Sequence, residues 1–173
     1  MKYLLILFIC FLVSLSSCSD DDLFEGTVSA VKNGDAWTPE PNALRFDQTG
    51  RLKIQLIEFG EYGITNSLFF GNVPVEEGLI NLSVRNNGLT DIVTSSYSID
   101  QESGHVAGDF YHLDTSDQID DYLMITKIDG REMEATFQAS YVLDTIWESV
   151  IENAPERIEI LNGSFHLKWK EEE

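Results

Sequence analysis

From Gly26 onward, apolar side chains recur at every second residue, the period of a strand that buries one face. Leu52, Ile54 and Leu56 alternate with Lys53 and Gln55, and Leu79-Ile80-Asn81-Leu82-Ser83-Val84 continues in the same manner. Residues 122–128 are rich in β-branched and aromatic side chains and stop at Asp129-Gly130. That pair predicts a two-residue hairpin, because both central positions of a type I′ turn need positive φ. The alternation is clearest next: Met133, Ala135, Phe137, Ala139 and Tyr141 share one face, and Glu134, Thr136, Gln138 and Ser140 the other. In the last strand, from Arg157 to Trp169, the parity slips. Ile158 and Ile160 precede Asn162-Gly163, whereas Phe165, Leu167 and Trp169 follow it, so a bulge at the glycine is needed to keep both halves on the core face.

Further turn signals stand at Asn33-Gly34, Thr49-Gly50, Asn86-Asn87-Gly88 and Ser103-Gly104. Three phrases, Gly108-Asp109-Phe110, Ala135-Thr136-Phe137 and Gly163-Ser164-Phe165, each set a small residue two before a phenylalanine. On a strand this lets a ring lie over a small neighbour, and all three phenylalanines are expected in the core. One segment breaks the period. Over residues 144–153, Ile146, Trp147, Val150 and Ile151 fall at helix-like spacing between Asp144, a capping residue, and Pro155, which predicts a short helix or a long hairpin loop. Many antiparallel strands without βαβ alternation predict an all-β fold, a single antiparallel β-sandwich or partly open barrel over residues 25–170.

The N-terminal segment has a different logic. Lys2 precedes an apolar run from Tyr3 to Val13, and Leu15-Ser16-Ser17-Cys18 and Ser19-Asp20-Asp21-Asp22 follow. As a helix the run would span roughly 16 Å, about half a bilayer's hydrocarbon core, so it suits a cleaved signal rather than a span. Leu-Ser-Ser-Cys resembles the lipobox of bacterial lipoproteins, in which the cysteine thiol takes a diacylglycerol and becomes the new N-terminus. Residues 1–17 then form the signal peptide, and residues 18–24 an acylated cysteine with an acidic tether. A serine and aspartates after that cysteine resemble the signal that sends Bacteroidota lipoproteins to the cell surface, which implies an outer-membrane, surface-exposed location.

Other short motifs are similar to those of uncharacterised Bacteroidota lipoproteins. They are Val31-Lys32-Asn33-Gly34-Asp35-Ala36-Trp37-Thr38-Pro39, then Gly104-His105-Val106-Ala107-Gly108-Asp109-Phe110, and the closing Ile160-Leu161-Asn162-Gly163-Ser164-Phe165. The resemblance implies a β-rich domain and an envelope location, and it brings no catalytic residue with it.

Charge and cysteine content narrow the chemistry. Eleven basic side chains stand against 30 acidic ones, a formal charge of −19, and loss of Lys2 with the signal makes the mature chain more negative still. Nucleic acid and anionic lipid are disfavoured as direct partners, whereas cations, an envelope protein or a glycan remain compatible. Cys10 lies in the discarded run and Cys18 carries the lipid, so no disulfide, thiolate metal site or cysteine nucleophile is expected. His105 and His112 are at odd spacing, on opposite faces of an unbroken strand, and His166 alternates with Phe165 and Leu167 toward water. No Gly-x-Ser-x-Gly elbow occurs. Abundant acids guarantee some carboxylate pair at glycosidase spacing, which makes such a pair uninformative without a cleft. The densest polar cluster supplies Asp114, Asp117, Asp120 and Asp121 as hard-oxygen ligands for Ca²⁺, without the glycine and glutamate of an EF-hand loop. Trp37, Tyr62 and Trp147 lie outside clear alternating strands and are candidates for stacking on a ligand.

The sequence therefore predicts a lipid-anchored, non-enzymatic binding or structural domain with no cofactor beyond the covalent lipid. A surface hydrolase using a carboxylate pair and a carrier with an apolar cavity are the rivals. Cys18→Ala, expressed in a native host, is expected to move the protein from the membrane to the soluble fraction; unchanged fractionation would refute acylation.

Overall fold

Period-two burial runs through almost every strand of the chain. The computed structural model describes residues 25–46, 48–83, 92–101, 108–116, 119–146 and 149–171. Its strands are β1 (Gly26–Lys32), β2 (Asp35–Trp37), β3 (Glu40–Arg45), β4 (Leu52–Gly60), β5 (Gly63–Val73), β6 (Gly78–Asn81), β7 (Thr94–Ile99), β8 (Asp109–Leu113), β9 (Tyr122–Asp129), β10 (Glu132–Leu143), β11 (Arg157–Lys168) and β12 (Lys170–Glu171). They join in one sheet of order β12-β3-β4-β5-β7-β8-β10-β11-β1-β2, antiparallel except where β12 lies parallel to β3. The fold is all-β. Of the two expected architectures the sandwich does not form: a single sheet curls until β3 approaches β1 and β11, as in a partly closed barrel.

Two contacts draw the ends of this sheet together. β12 continues β11 past Trp169 and pairs Lys170 with Leu44 and Glu171 with Arg45 on β3. Toward the other end of β1, the carboxylate of Glu58 on β4 grips Lys32 of β1 and Trp37 of β2. The β10 edge is shared, with its first half pairing β9 and its last residues pairing β8, so the antiparallel pair of β6 and β9 forms a side panel. Inside, Phe70, Phe137, Phe165, Tyr97, Tyr111 and Tyr141 fill the curl together with aliphatic residues from nearly every strand. Phe70 meets Phe137 edge-on at 5.5 Å between ring centroids, and Tyr97 meets Tyr111 likewise at 5.9 Å.

The bulge expected in the last strand is present. Phe137 pairs with Gly163 and Ala139 with Ile160, so β11 contributes one residue more than β10 between those pairs, and the β1 register shifts at the same place. Asn162 absorbs the kink with φ of 51°. The ring of Phe137 then lies on Gly163, where a Cβ would come within 2.5 Å of it. Asn33-Gly34 turns as expected, with positive φ at both residues between the paired Lys32 and Asp35. The next hairpin differs from expectation by one residue. Asp129 pairs with Glu132, which leaves Gly130 and Arg131 as the central pair with positive φ at Gly130, the pattern of a II′ turn and not of I′.

No helix forms among the described residues, so the helix expected near 144–153 is replaced by the alternative hairpin loop between β10 and β11. The polar atoms explain it. Asp109 accepts the Val150 N–H at 2.8 Å, the donor that a helix capped at Asp144 would give to the Ile146 carbonyl; the Asp144 bond to Ile146 N–H, at 3.0 Å, closes a local turn that stops there. Residues 147–148 lie outside the described residues.

The Phe137–Gly163 contact generates a stability prediction. Gly163→Ala should cost about 1–3 kcal/mol by overpacking, and Phe137→Leu should cost less when combined with it than when made alone. Urea unfolding of the two single variants and the double variant measures this; strict additivity would show that the ring and the glycine are not coupled.

Candidate functional site

The outer face of the sheet is cut by a trough along β7. Thr94, Ser96 and Ser98 of that strand point outward, whereas Ser95 and Tyr97 are buried inside. The flanking strands carry larger side chains: Ser96 pairs with Phe69 of β5 on one side and His112 of β8 on the other, and Ser98 pairs with Phe110. Small residues between large ones leave a depression of about 860 Å³, lined by Phe69, Thr94, Ser96, Phe110, His112 and Ile146 among others. Two strand spacings separate its walls, roughly 10 Å. A shallower depression of about 400 Å³ lies over β1, β11, β10 and β9, where Thr27, Ser29, Thr136 and Ser164 form a polar surface without an aromatic wall facing out.

The trough is held in shape from both sides. Phe69 leans over Gly71, where a Cβ would meet the ring edge at 2.8 Å, and Lys53 Nζ sits 5.6 Å from the ring centre. Beneath the floor, Ser95 Oγ donates to the Phe69 carbonyl at 3.0 Å. Since a serine hydroxyl has one proton, Tyr141 must be the donor in the 2.6 Å contact with Ser95 Oγ. Burial pushes the Tyr141 phenol well above its ordinary range, which keeps that donor protonated. The rim is fixed as well. Asp144 N–H donates to the Phe110 carbonyl at 2.8 Å, Ser149 Oγ and Val150 N–H donate to the buried Asp109 carboxylate, and Tyr111 OH donates to the Pro155 carbonyl at 2.9 Å. Burial, followed by the Asp109 charge, raises the Tyr111 pKa to about 12.

Most of the residues singled out from sequence lie elsewhere. Trp37, a stacking candidate, is 4% exposed: it packs against Tyr97 at 6.4 Å and its indole N–H is bonded to Glu58, so it belongs to the core. Tyr62 is 63% exposed at the β4–β5 turn, beside the exposed Phe59 and away from the trough lining. Trp147 lies outside the described residues, as do Asp117 and His105. Asp114 is buried and bridged to Arg157 at 2.8 Å, with its other oxygen taking Ser116 N–H and Oγ. Asp121 accepts the Ser140 N–H at 2.8 Å, and the Asp120 carbonyl accepts from Gln138. Among the described residues no group of three His, Cys, Asp or Glu is placed to hold a metal ion. His166 is exposed beside Glu132, at 3.3 Å.

Phe110 is the correction that matters most. Expected in the core, it is 55% exposed, with Asp109, Tyr111 and Leu113 turned inward in its place. The sequence did carry a signal: Tyr111 and Leu113 alternate with Phe110 and His112, and counting back from Leu113 puts Phe110 outside. Ser96, His112 and Asp144 all line the trough without a hydrogen bond between them, and one Asp144 oxygen accepts the Ile146 N–H.

No protein-family model matches the chain, and no curated protein or solved structure is similar to it.

A second polar cluster sits where the sheet ends meet. One oxygen of Glu58 accepts from Lys32 Nζ at 2.7 Å, Trp37 Nε1 at 2.9 Å and Asn66 Nδ2 at 2.9 Å. Partial burial alone would raise its pKa, but these three donors and the Lys32 charge outweigh that and hold it below the usual 4.5. The folded-state value is depressed, so the stabilisation is present above pH 4.5 and is lost as pH falls through the folded pKa. The stability difference between wild type and Glu58→Gln, from urea unfolding, should be positive near pH 7 and shrink below about pH 4. A pH-independent difference would show that the carboxylate charge is not what holds the cluster.

Proposed function

We propose that this chain is a lipid-anchored, non-enzymatic binding module of a bacterial envelope, displayed at the outer-membrane surface and recognising its ligand in the trough over β5, β7 and β8. The observation that carries the reading is the trough itself: apolar walls at Phe69, Phe110 and Ile146 stand over a floor of Thr94 and Ser96, and its rim loop is already pinned by hydrogen bonds. Its volume of about 860 Å³ falls in the range of ligand sites, and the bonds that hold Asp144, Ser149 and Val150 to β8 lower the entropy cost of association. The anchor rests on Leu15-Ser16-Ser17-Cys18, on the acidic residues after it, and on the likeness to Bacteroidota lipoproteins.

The carrier reading finds less support. The described interior of the curl is filled by Phe70, Phe137, Phe165 and the three tyrosines, so an apolar guest would have to displace core side chains.

Hydrogen–deuterium exchange of the mature domain, with and without solubilised envelope material from its host, tests the assignment. Protection is expected over 94–98 and 109–113 and should disappear in the Phe69→Ala/Phe110→Ala variant. Protection confined to other strands would remove the trough as the binding surface.

A further inference from the structure

Resting on the trough as the binding surface, we infer that its ligand is a neutral saccharide chain, with sugar rings laid against Phe69 and Phe110 and their hydroxyls over Thr94 and Ser96. Three observations select this chemistry. The first is charge. On a chain of formal charge −19, the ionisable groups lining the trough among the described residues are His112 and Asp144, which stand beside the phenol of the buried Tyr111, with Lys53 Nζ over the Phe69 ring. One oxygen of Asp144 is engaged with Ile146 N–H. Among the described residues one cation, one carboxylate and one histidine make no matched set of counter-charges for a charged ligand, and an anionic one would also meet the field of the whole molecule.

The second is the floor. Hydroxyls of Thr94 and Ser96 covered by an alkyl chain would lose water without gaining a partner, which costs about 1–3 kcal/mol each, so a lipid tail is a poor fit. A sugar supplies both donors and acceptors there. The third is the backbone. β7 is paired along its length, with β5 from Gly71 to Asn66 on one side and, on the other, β8 from His112 to Asp109 with Ser83 beside Thr94. An extended peptide could not add itself as a strand and would leave its own amides unpaired. A pyranose ring needs no ladder. It presents an apolar C–H face and a polar periphery, which matches ring walls standing over a hydroxyl floor.

Phe69 is set for such stacking by Gly71, because the bare Cα lets the ring fold down along the strand. Phe110 is presented by the inward turn of Asp109 and the rim loop bound to it. Both rings point away from the core, so replacing them leaves the interior packing in place.

A printed array of neutral and acidic glycans, probed with the mature domain, decides the matter. Wild type is expected to retain neutral glycans, Phe69→Ala and Phe110→Ala each to bind roughly tenfold more weakly, and Phe110→Trp to keep binding. Urea midpoints of the variants are measured alongside to establish that they fold. Neutral glycans bound equally by the alanine variants would overturn the placement of the sugar, and binding of acidic glycans alone, or of none, would overturn the ligand class. In the last case, exchange protection over 94–98 that persists with envelope material leaves the trough standing as a binding surface for other chemistry; its absence removes both readings.

Discussion

The contact between the ring of Phe137 and the bare backbone of Gly163 governs the shape of this domain. Around it β11 takes up an extra residue, and the registers with β10 and with β1 shift together. Without that insertion Ile160 and Phe165 would face opposite sides of the sheet, and half of the strand's apolar residues would be presented to water. With it, the strand bends, and the sheet curls far enough for β12 to reach β3 and for Glu58 to reach Lys32 and Trp37. A backbone pairing and a carboxylate cluster thus hold the two ends of the sheet near one another, and the aromatic interior is enclosed between them.

How much of this could be read in the chain depends on the range of the interaction concerned. Alternation in β4, β10 and β11 is local, and so is the parity slip at Asn162-Gly163; both were legible because a strand's two faces are fixed by counting. Asn33-Gly34 was legible for the same reason. At Asp129-Gly130 the turn was recognised but its centre lies one residue later, since the pairing of Asp129 with Glu132 decides which residues are left over. At Phe110 the local parity of Tyr111 and Leu113 pointed outward, but an inward Asp109 makes sense only with Ser149 and Val150, its donors 40 and 41 residues away. The trough escaped on the same account. It exists only where β5, β7 and β8 are brought side by side, and nothing in any one of those segments describes it.

The acidic composition also looks different once the atoms are placed. Asp109, Asp114 and Asp121 are not spare ligands: each accepts backbone or side-chain donors that pin a loop to a strand, and Glu58 does the same for the sheet ends. Asp109 and Asp114 are buried, and both oxygens of each are met by donors, which offsets the cost of taking their charge out of water. The Ca²⁺ reading of residues 114–121 drew on a count of oxygens, whereas two of those aspartates are already engaged in holding the loop. Among the described residues Asp144 is the one carboxylate in the trough lining, on a strongly negative body.

The strands at the two ends of the sheet order are its shortest. β2 has three residues and begins with Asp35, and β12 has two, which cover only Leu44 and Arg45 of β3. Each end strand is too short to template another chain, and a carboxylate on the first makes approach costly. Pairing of one copy with another through either end strand would thus form a ladder of only two or three residues, too short to seed a fibril.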